Sequence, residues 1–117
     1  MVLTETNLLK RIATLANLPI RFLDEKELPG TCIIGELPID ITIKSYGVYL
    51  NLVGYVNHKQ RNMFKGKGLF KALIPHIKMT LTEYGFKSEL YLCPTSPVWK
   101  NNYNLMIDEN GISKIIL

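Results

Sequence analysis

Hydrophobic positions near the beginning of the chain recur with the period of an α-helix. In residues 4–17, TETNLLKRIATLAN, the apolar side chains on one stripe are Leu8, Leu9, Ile12, Leu15 and Ala16. Either Thr4 or Thr6 has the hydroxyl group that commonly caps a helix start. The pattern therefore predicts an amphipathic helix.

The following segments show the patterns of β-strands. LPIRFL and TCIIG are separated by the polar turn DEKELPG, which predicts two short strands. From Pro38 onward, Ile39, Ile41 and Ile43 alternate with polar residues, as expected for a strand with one buried face. The run VYLNLVGYV, which begins at Val48, is apolar on both faces, and this is typical of a central strand covered on both sides.

A second helix is predicted after the loop NHKQRNMFKGK. The positions that recur at helical spacing are Leu69, Leu73, Ile77, Leu81 and Tyr84. Gly85 marks the expected end of this helix. Because proline deletes a backbone hydrogen bond and crowds the preceding turn, Pro75 predicts a kink near Lys71 or a helix that restarts at Pro75.

The remaining residues predict a strand, SELYLCP, that Pro94 ends, then a turn or short helix, TSPVWKNNY, and a closing hairpin, LMIDENGISKIIL. Asn110 and Gly111 suit a turn with positive φ between the two apolar runs of the hairpin. The inferred order gives an α+β fold, with a mixed, mostly antiparallel sheet and flanking helices.

Composition favours one globular domain over residues 1–117. The chain has 117 residues, of which 47% are hydrophobic and 21% charged, and this matches one folding unit with one core. No segment approaches the ~18 apolar residues that a bilayer span requires. The start, MVLTETNLLKR, lacks the basic and then apolar order of a secretory signal, so we expect a soluble cytoplasmic protein without a membrane partner. Cys32 and Cys93 are too few for a disulfide framework or a zinc cluster, which predicts buried, reduced thiols and no metal site.

Positive charge is concentrated ahead of the second predicted helix. The net charge is +4, and five basic residues in one short segment without acids are Lys59, Arg61, Lys65, Lys67 and Lys71. Such a segment attracts a phosphorylated cofactor, a nucleic acid or an acidic protein surface. The alternative is a solvated loop whose lysines maintain solubility.

Gly66 and Gly68 lie within this basic segment, directly before the helix. The first amides of a helix have no acceptor within it, so they can bind an anion, and glycine lets the backbone approach closely. An ordinary turn also uses glycine. A P-loop is excluded because Gly68 is followed by Leu69 and Phe70 instead of Lys-Ser/Thr, and the dinucleotide fingerprint lacks its third glycine.

The two-faced strand, the helix start GKGLFKAL, the helix end EYGFK and the strand SELYL together resemble the GNAT superfamily of N-acetyltransferases. Members carry R/Q-x-x-G-x-G/A at this junction, and residues 63–68 match both glycines, whereas Met63 replaces the first position. The resemblance covers residues 31–107 and is most specific over 64–93. It implies acetyl-CoA as co-substrate, held at the following positions: Tyr55, Val56, Lys65, Gly66, Lys67, Gly68, Leu69 and Phe70.

The resemblance also implies a proton donor. The family motif N-x-x-A-x-x-x-Y falls here on Ser96, Trp99 and Tyr103, which keeps only the tyrosine. A phenol with a pKa near ~10 suits protonation of a coenzyme A thiolate. The alternative for Tyr103 is a half-buried aromatic residue that supports the final hairpin, and Trp99 either covers the cofactor or fills the core.

The residue that deprotonates the amine is harder to assign. No glutamate lies on VYLNLVGYV, where many members place this base, and the loop from Val56 to Gly66 is longer than usual. His58 is our candidate, acting directly or through a water, because its pKa range suits proton removal near neutrality. Glu36 and Asp40 are alternatives.

The mechanism implied is direct transfer of the acetyl group to a primary amine of a small molecule or protein. The amide of Val56 polarises the thioester carbonyl and Tyr103 protonates the sulfur. Cys93 is interpreted as a structural thiol and not as an acyl carrier. The alternative function is an inactive member of the same fold that binds nucleic acid or an acidic protein, with nucleic acid not favoured, and both a monomer and a homodimer remain open.

Overall fold

The computed structural model describes residues 3–22, 32–51, 68–92 and 103–117, and these residues form two helices and a seven-stranded sheet. The helices are α1 (Glu5–Ala16) and α2 (Leu69–Glu83). The strands are β1 (Ile20–Phe22), β2 (Cys32–Ile34), β3 (Leu37–Lys44), β4 (Gly47–Asn51), β5 (Glu89–Tyr91), β6 (Asn104–Ile107) and β7 (Ser113–Ile116). The predicted α+β class is confirmed.

The strands lie in the order β1-β2-β3-β4-β5-β7-β6. β4 and β5 are parallel, with Tyr49 opposite Tyr91, and every other neighbouring pair is antiparallel. Parallel neighbours need a long crossover connection, and α2 lies within the connection from β4 to β5. The sheet is therefore mixed, as the sequence predicts.

α1 begins and ends with recognisable caps. The Asn7 N–H donates to the Thr4 hydroxyl oxygen at 3.1 Å, so Thr4 and not Thr6 is the N-cap. Asn17 follows the last turn in the left-handed conformation, with φ of 55°. The predicted helix over residues 4–17 is confirmed.

α2 is one continuous helix with Pro75 inside it, so the predicted restart at Pro75 is wrong. Buried residues lie on both sides of the proline, and Leu73 and Ile77 are 1% and 0% exposed. Pro75 itself faces solvent. Burying each of these apolar side chains contributes roughly 1.5–3 kcal/mol, which offsets the lost backbone hydrogen bond.

Both helices pack side by side on one face of the sheet, which we call the core face. Its buried residues are Ile39, Ile41, Val48, Leu50, Leu90 and Ile115. The opposite face, which we call the tyrosine face, carries Tyr49 and Tyr91. The Arg11 guanidinium and the Glu83 carboxylate join α1 to α2 through two hydrogen bonds of 3.0 Å.

The C-terminal hairpin is confirmed, but its turn differs from the prediction. Of the two residues expected to have positive φ, only Gly111 does, at 78°. The loop between the paired strands runs over residues 108–112, because the Asp108 carboxylate accepts the N–H groups of Asn110 and Ile112, each at 2.9 Å. An aspartate that binds nearby backbone amides favours this longer loop over a two-residue turn.

No helix in the described ranges has the length and apolar character needed to cross a bilayer.

Candidate functional site

The sequence-predicted site residues divide into two groups. Gly68, Leu69, Phe70 and Tyr103 belong to the described structure. The following predicted residues lie outside the described ranges: Tyr55, Val56, His58, Lys65, Gly66 and Lys67. Met63, Cys93, Ser96 and Trp99 also lie outside them.

Gly68 is the N-cap of α2, as expected for the second glycine of the motif. Its backbone is left-handed, with φ of 68° and ψ of 18°, and its carbonyl accepts the Ala72 N–H at 3.0 Å. No atom of the described residues lies within 4 Å of a Cβ built at Gly68, so none of them obstructs the approach to the helix start on that side. The first turn contains no acidic side chain, which leaves the positive end of the helix dipole without a negative charge in that turn. This helix start has the properties of an anion-binding site.

Tyr103 lies against this first turn. Its ring meets the ring of Phe70 edge-on, with the ring centres 5.7 Å apart and the planes inclined at 61°. Phe70 is buried, and Tyr103 is partly buried against the core. Burial raises the pKa of Tyr103, so the phenol remains protonated at neutral pH. The structure therefore brings the ring of Tyr103 into contact with Phe70, the second residue of α2.

Asp40, an alternative for the base, is half-buried on β3. Burial is the main cause that raises the pKa of Asp40, the negative charge of Glu5 raises it further, and a backbone hydrogen bond with Ile41 acts in the opposite direction. A carboxyl group with a raised pKa is a better proton acceptor than an ordinary one.

The strand order separates both carboxylates from Tyr103. Asp40 lies on β3, and Asn104, the residue after Tyr103, lies on β6, which is four strands away in the sheet. Because neighbouring strands are ~4.8 Å apart, the two strands are separated by roughly 19 Å. Asp40 alternates with core residues and lies on the tyrosine face, whereas Tyr103 packs on the core face. Glu36 is exposed in the turn before β3, farther along the sheet. Neither carboxylate can act on a group that Tyr103 also touches.

A cavity of about 460 Å³ lies elsewhere in the structure, and none of the predicted site residues within the described ranges lines it. Its wall includes Tyr91, whose ring meets Tyr46 edge-on at 4.7 Å and whose pKa is raised mainly by burial. Beside it, the Lys114 ammonium pairs with Glu89 at 3.0 Å. The sequence did not indicate this cavity, because two turns, a helix end and two strands that are distant in the chain form it together.

The described thiol is structural. Cys32 is fully buried and donates to the Ile39 carbonyl at 3.5 Å, which confirms the predicted buried, reduced thiol at this position. Burial is the main cause that raises the pKa of Cys32 to about 12. Among the residues that the structure describes, no group of three or more His, Cys, Asp or Glu side chains could hold a metal ion.

Comparison of the chain with protein-family models, curated proteins and solved structures finds no match.

Proposed function

We propose that this protein is an acetyl-CoA-dependent N-acetyltransferase that transfers the acetyl group directly to a primary amine of a small molecule or protein. The observation that carries the proposal is the contact between Tyr103 and Phe70. This contact puts the ring of Tyr103 against the first turn of the helix that Gly68 caps. In this proposal the first turn of α2 holds the pyrophosphate, and Tyr103 donates a proton to the sulfur, which lies at the other end of the pantetheine arm of coenzyme A.

The helix start supplies the anion-binding part. The amides of the first turn and the dipole of a 15-residue helix favour the negative charge of a pyrophosphate. Lys71, exposed on the same turn, adds a positive charge. Gly68 supports close approach of the anion, because it has no side chain and no atom of the described residues fills that space.

Tyr103 supplies the proton. The amine nitrogen attacks the thioester carbonyl carbon, a C–N bond forms, and the C–S bond breaks. The departing sulfur then takes the phenolic proton, and the amine releases its own extra proton to a base. Because burial raises the pKa of Tyr103, the phenol holds its proton until the thiolate forms. Asp40 and Glu36 are too distant to be this base, which leaves His58 as the candidate from sequence.

The topology also supports the proposal. The resemblance to N-acetyltransferases rests on the order of strand, glycines, helix and strand. In the structure, α2 lies between β4 and β5 in the chain, and these two strands are parallel neighbours.

A binding protein on the same fold, without catalysis, is the second candidate. The distance between the carboxylates and Tyr103 favours it, since the described residues place no acidic base near the proposed donor. Its partner would be a nucleic acid or an acidic protein surface, bound through the basic segment that includes Lys71.

The experiment that tests the proposed function mixes the protein with acetyl-CoA and a panel of primary amines. Free thiol is measured with a chromogenic reagent and the acetylated amine by mass spectrometry. Thiol release that requires both the protein and one amine class supports the enzyme. Acetyl-CoA binding without any amine-dependent release favours the binding protein.

A further inference from the structure

β6 lies at one edge of the sheet that the described residues form, and its sequence lacks the usual protection of an edge strand. The residues Asn-Leu-Met-Ile include no charge and no proline. Met106 is 50% exposed and Ile107 is 71% exposed. Native edge strands commonly carry lysine, proline or bulges that prevent pairing with another strand.

The opposite edge of the sheet differs. β1 carries the charged Arg21, and the Lys10 ammonium lies 5.9 Å from the ring centre of Phe22, the exposed aromatic residue of that strand. The β1 edge therefore carries positive charge, which disfavours pairing of β1 with β1 of a second copy.

The hydrogen bonds of the hairpin show which groups of β6 point outward. The Asp108 N–H donates to the Ile112 carbonyl at 3.0 Å, so the backbone groups of Asp108 face β7. Because antiparallel strands alternate, those of Met106 also face β7, whereas those of Leu105 and Ile107 face away from the sheet. The Leu105 N–H donates to the Tyr103 carbonyl at 2.8 Å, and if another strand paired with β6 this N–H would donate to that strand instead.

We propose that β6 pairs with β6 of a second copy of this chain, antiparallel and about a two-fold axis at Met106. Leu105 then lies opposite Ile107 of the other copy, and each pair exchanges backbone hydrogen bonds. Met106 faces its own counterpart, which covers two exposed methionines.

The flanking positions are compatible with this register. Asn104 lies opposite Asp108 of the other copy, an amide against a carboxylate, and no like charges face each other across the strand pair. Apolar side chains meet on both faces of the joined sheet: Leu105 with Ile107 on the core face, and Met106 with Met106 on the tyrosine face.

The contact is small. Four-residue strands bury less than the ~800 Å² per partner of a standard interface, so the dimer is weak and depends on protein concentration. Pairing at this edge does not involve acetyl-CoA, and it stands or falls independently of the proposed function.

Disulfide cross-linking tests the register directly. Met106→Cys is made in a Cys93→Ser background, where the remaining Cys32 is buried. Across a non-hydrogen-bonded antiparallel pair the Cα atoms are ~4.5 Å apart, which suits a disulfide, whereas Ile107→Cys would place its two Cα atoms roughly 8 Å apart. Met79→Cys, at an exposed position on α2, is the matched surface control.

Under a glutathione redox buffer, we expect Met106→Cys to form the covalent dimer at least about tenfold faster than Ile107→Cys or Met79→Cys. Equal rates for Met106→Cys and Met79→Cys would overturn the proposal. Faster cross-linking of Ile107→Cys than of Met106→Cys would also overturn it, because the register would be different.

Sedimentation velocity gives a second measurement without new cysteines. Ile107→Pro removes an outward N–H and leaves the bonds between β6 and β7 intact, so the dissociation constant should rise at least about tenfold. Met79 on α2 is also an exposed apolar residue, so Met79→Lys is the control and should change the dissociation constant by no more than about twofold. A wild-type chain that stays monomeric at every concentration, or a dimer that Ile107→Pro does not weaken, contradicts the inference.

Discussion

The ring of Tyr103 lies edge-on against the ring of Phe70, with the ring centres 5.7 Å apart. This contact joins the beginning of the C-terminal hairpin to the first turn of α2. A tyrosine in such a contact has two separable parts, since its ring packs against a neighbour and its hydroxyl carries a proton. Substitutions can therefore distinguish a structural role from a catalytic one.

Tyr103→Phe keeps the ring and removes the proton. If the phenol protonates the leaving thiolate, turnover should fall about 100-fold or more, because general acid catalysis typically contributes 10²–10⁴-fold. Acetyl-CoA affinity, measured by calorimetry, should change little. Tyr84→Phe, in the half-buried residue that caps the end of α2, is the matched control and should retain full turnover. Unchanged turnover in Tyr103→Phe would leave Tyr103 with a packing role alone.

Pro75→Ala should stabilise the protein. Pro75 lies inside a continuous helix, faces solvent and prevents one backbone hydrogen bond. Proline costs about 3 kcal/mol relative to alanine in a helix interior, so we expect a gain of about 1–3 kcal/mol in the free energy of unfolding. Urea denaturation measures it. A loss of stability would show that the proline fits a bend on which the packing depends.

Because its thiol is buried, Cys32 should lower the stability of the fold at alkaline pH. Burial raises the pKa of Cys32 from 9.0 to about 12, so its thiol favours folding fully below pH 9, and this contribution is lost as pH rises towards 12. The stability advantage of wild type over Cys32→Ala should shrink by about 1.4 kcal/mol between pH 7 and pH 10, since one pH unit corresponds to about 1.4 kcal/mol. Urea titrations at both pH values measure it. An advantage that is constant with pH would contradict the burial of the thiol.

The ion pair between Arg11 and Glu83 predicts a loss of stability in acid. The hydrogen bond that Arg11 donates to Glu83 is the main cause that lowers the pKa of Glu83 from 4.5. The pair therefore stabilises the fold above pH 4.5, and this contribution is lost as pH falls through the lowered pKa. Glu83→Gln should lower the melting temperature slightly at pH 7, and high salt should reduce the difference.

Glu109→Gln, in the exposed loop of the hairpin, is the matched control for Glu83→Gln. If both variants melt at the same temperature at pH 7 and low salt, the contact between the helices contributes nothing measurable.

The elements with a clear period could be predicted from sequence. The helical period of α1 and the alternation from Ile39 to Ile43 on β3 depend on neighbouring residues alone, and both elements are confirmed. The buried residues of α1 are Leu8, Leu9, Ile12 and Ala13, so the predicted stripe is wrong at Leu15 and Ala16, which are only partly buried. The sequence left open whether α2 continues through Pro75 or restarts there, because the choice depends on a core that distant segments build. The length of the loop that contains Gly111 could not be predicted either, because it depends on which backbone N–H groups donate to the Asp108 carboxylate.

The candidate site divides in the same way. The position of Gly68 at a helix start follows from the local pattern. The contact of Tyr103 with Phe70 and the separation of Asp40 from Tyr103 depend on the strand order β4-β5-β7-β6, in which β7 enters between two earlier strands. Spacing along the chain contains no information about that insertion.

The two glycines at the ends of α2 allow a matched test of the helix start. Gly68 has φ of 68° and Gly85 has φ of 83°, and in the described part of the chain no atom lies within 4 Å of a Cβ built at either position. Alanine at each position should therefore cost a similar amount of stability, about 1–2 kcal/mol for the left-handed backbone. Of the two, only Gly68 lies at the N-terminal end of α2, where the helix dipole is positive.

Titration of the protein with acetyl-CoA by calorimetry tests the central claim most directly. We expect saturable binding by wild type, an affinity at least about tenfold lower for Gly68→Ala, and little change for Gly85→Ala, because only the first substitution obstructs the amides that would hold the pyrophosphate. The absence of binding by wild type, or equal weakening by both substitutions, would contradict a cofactor site at the start of α2.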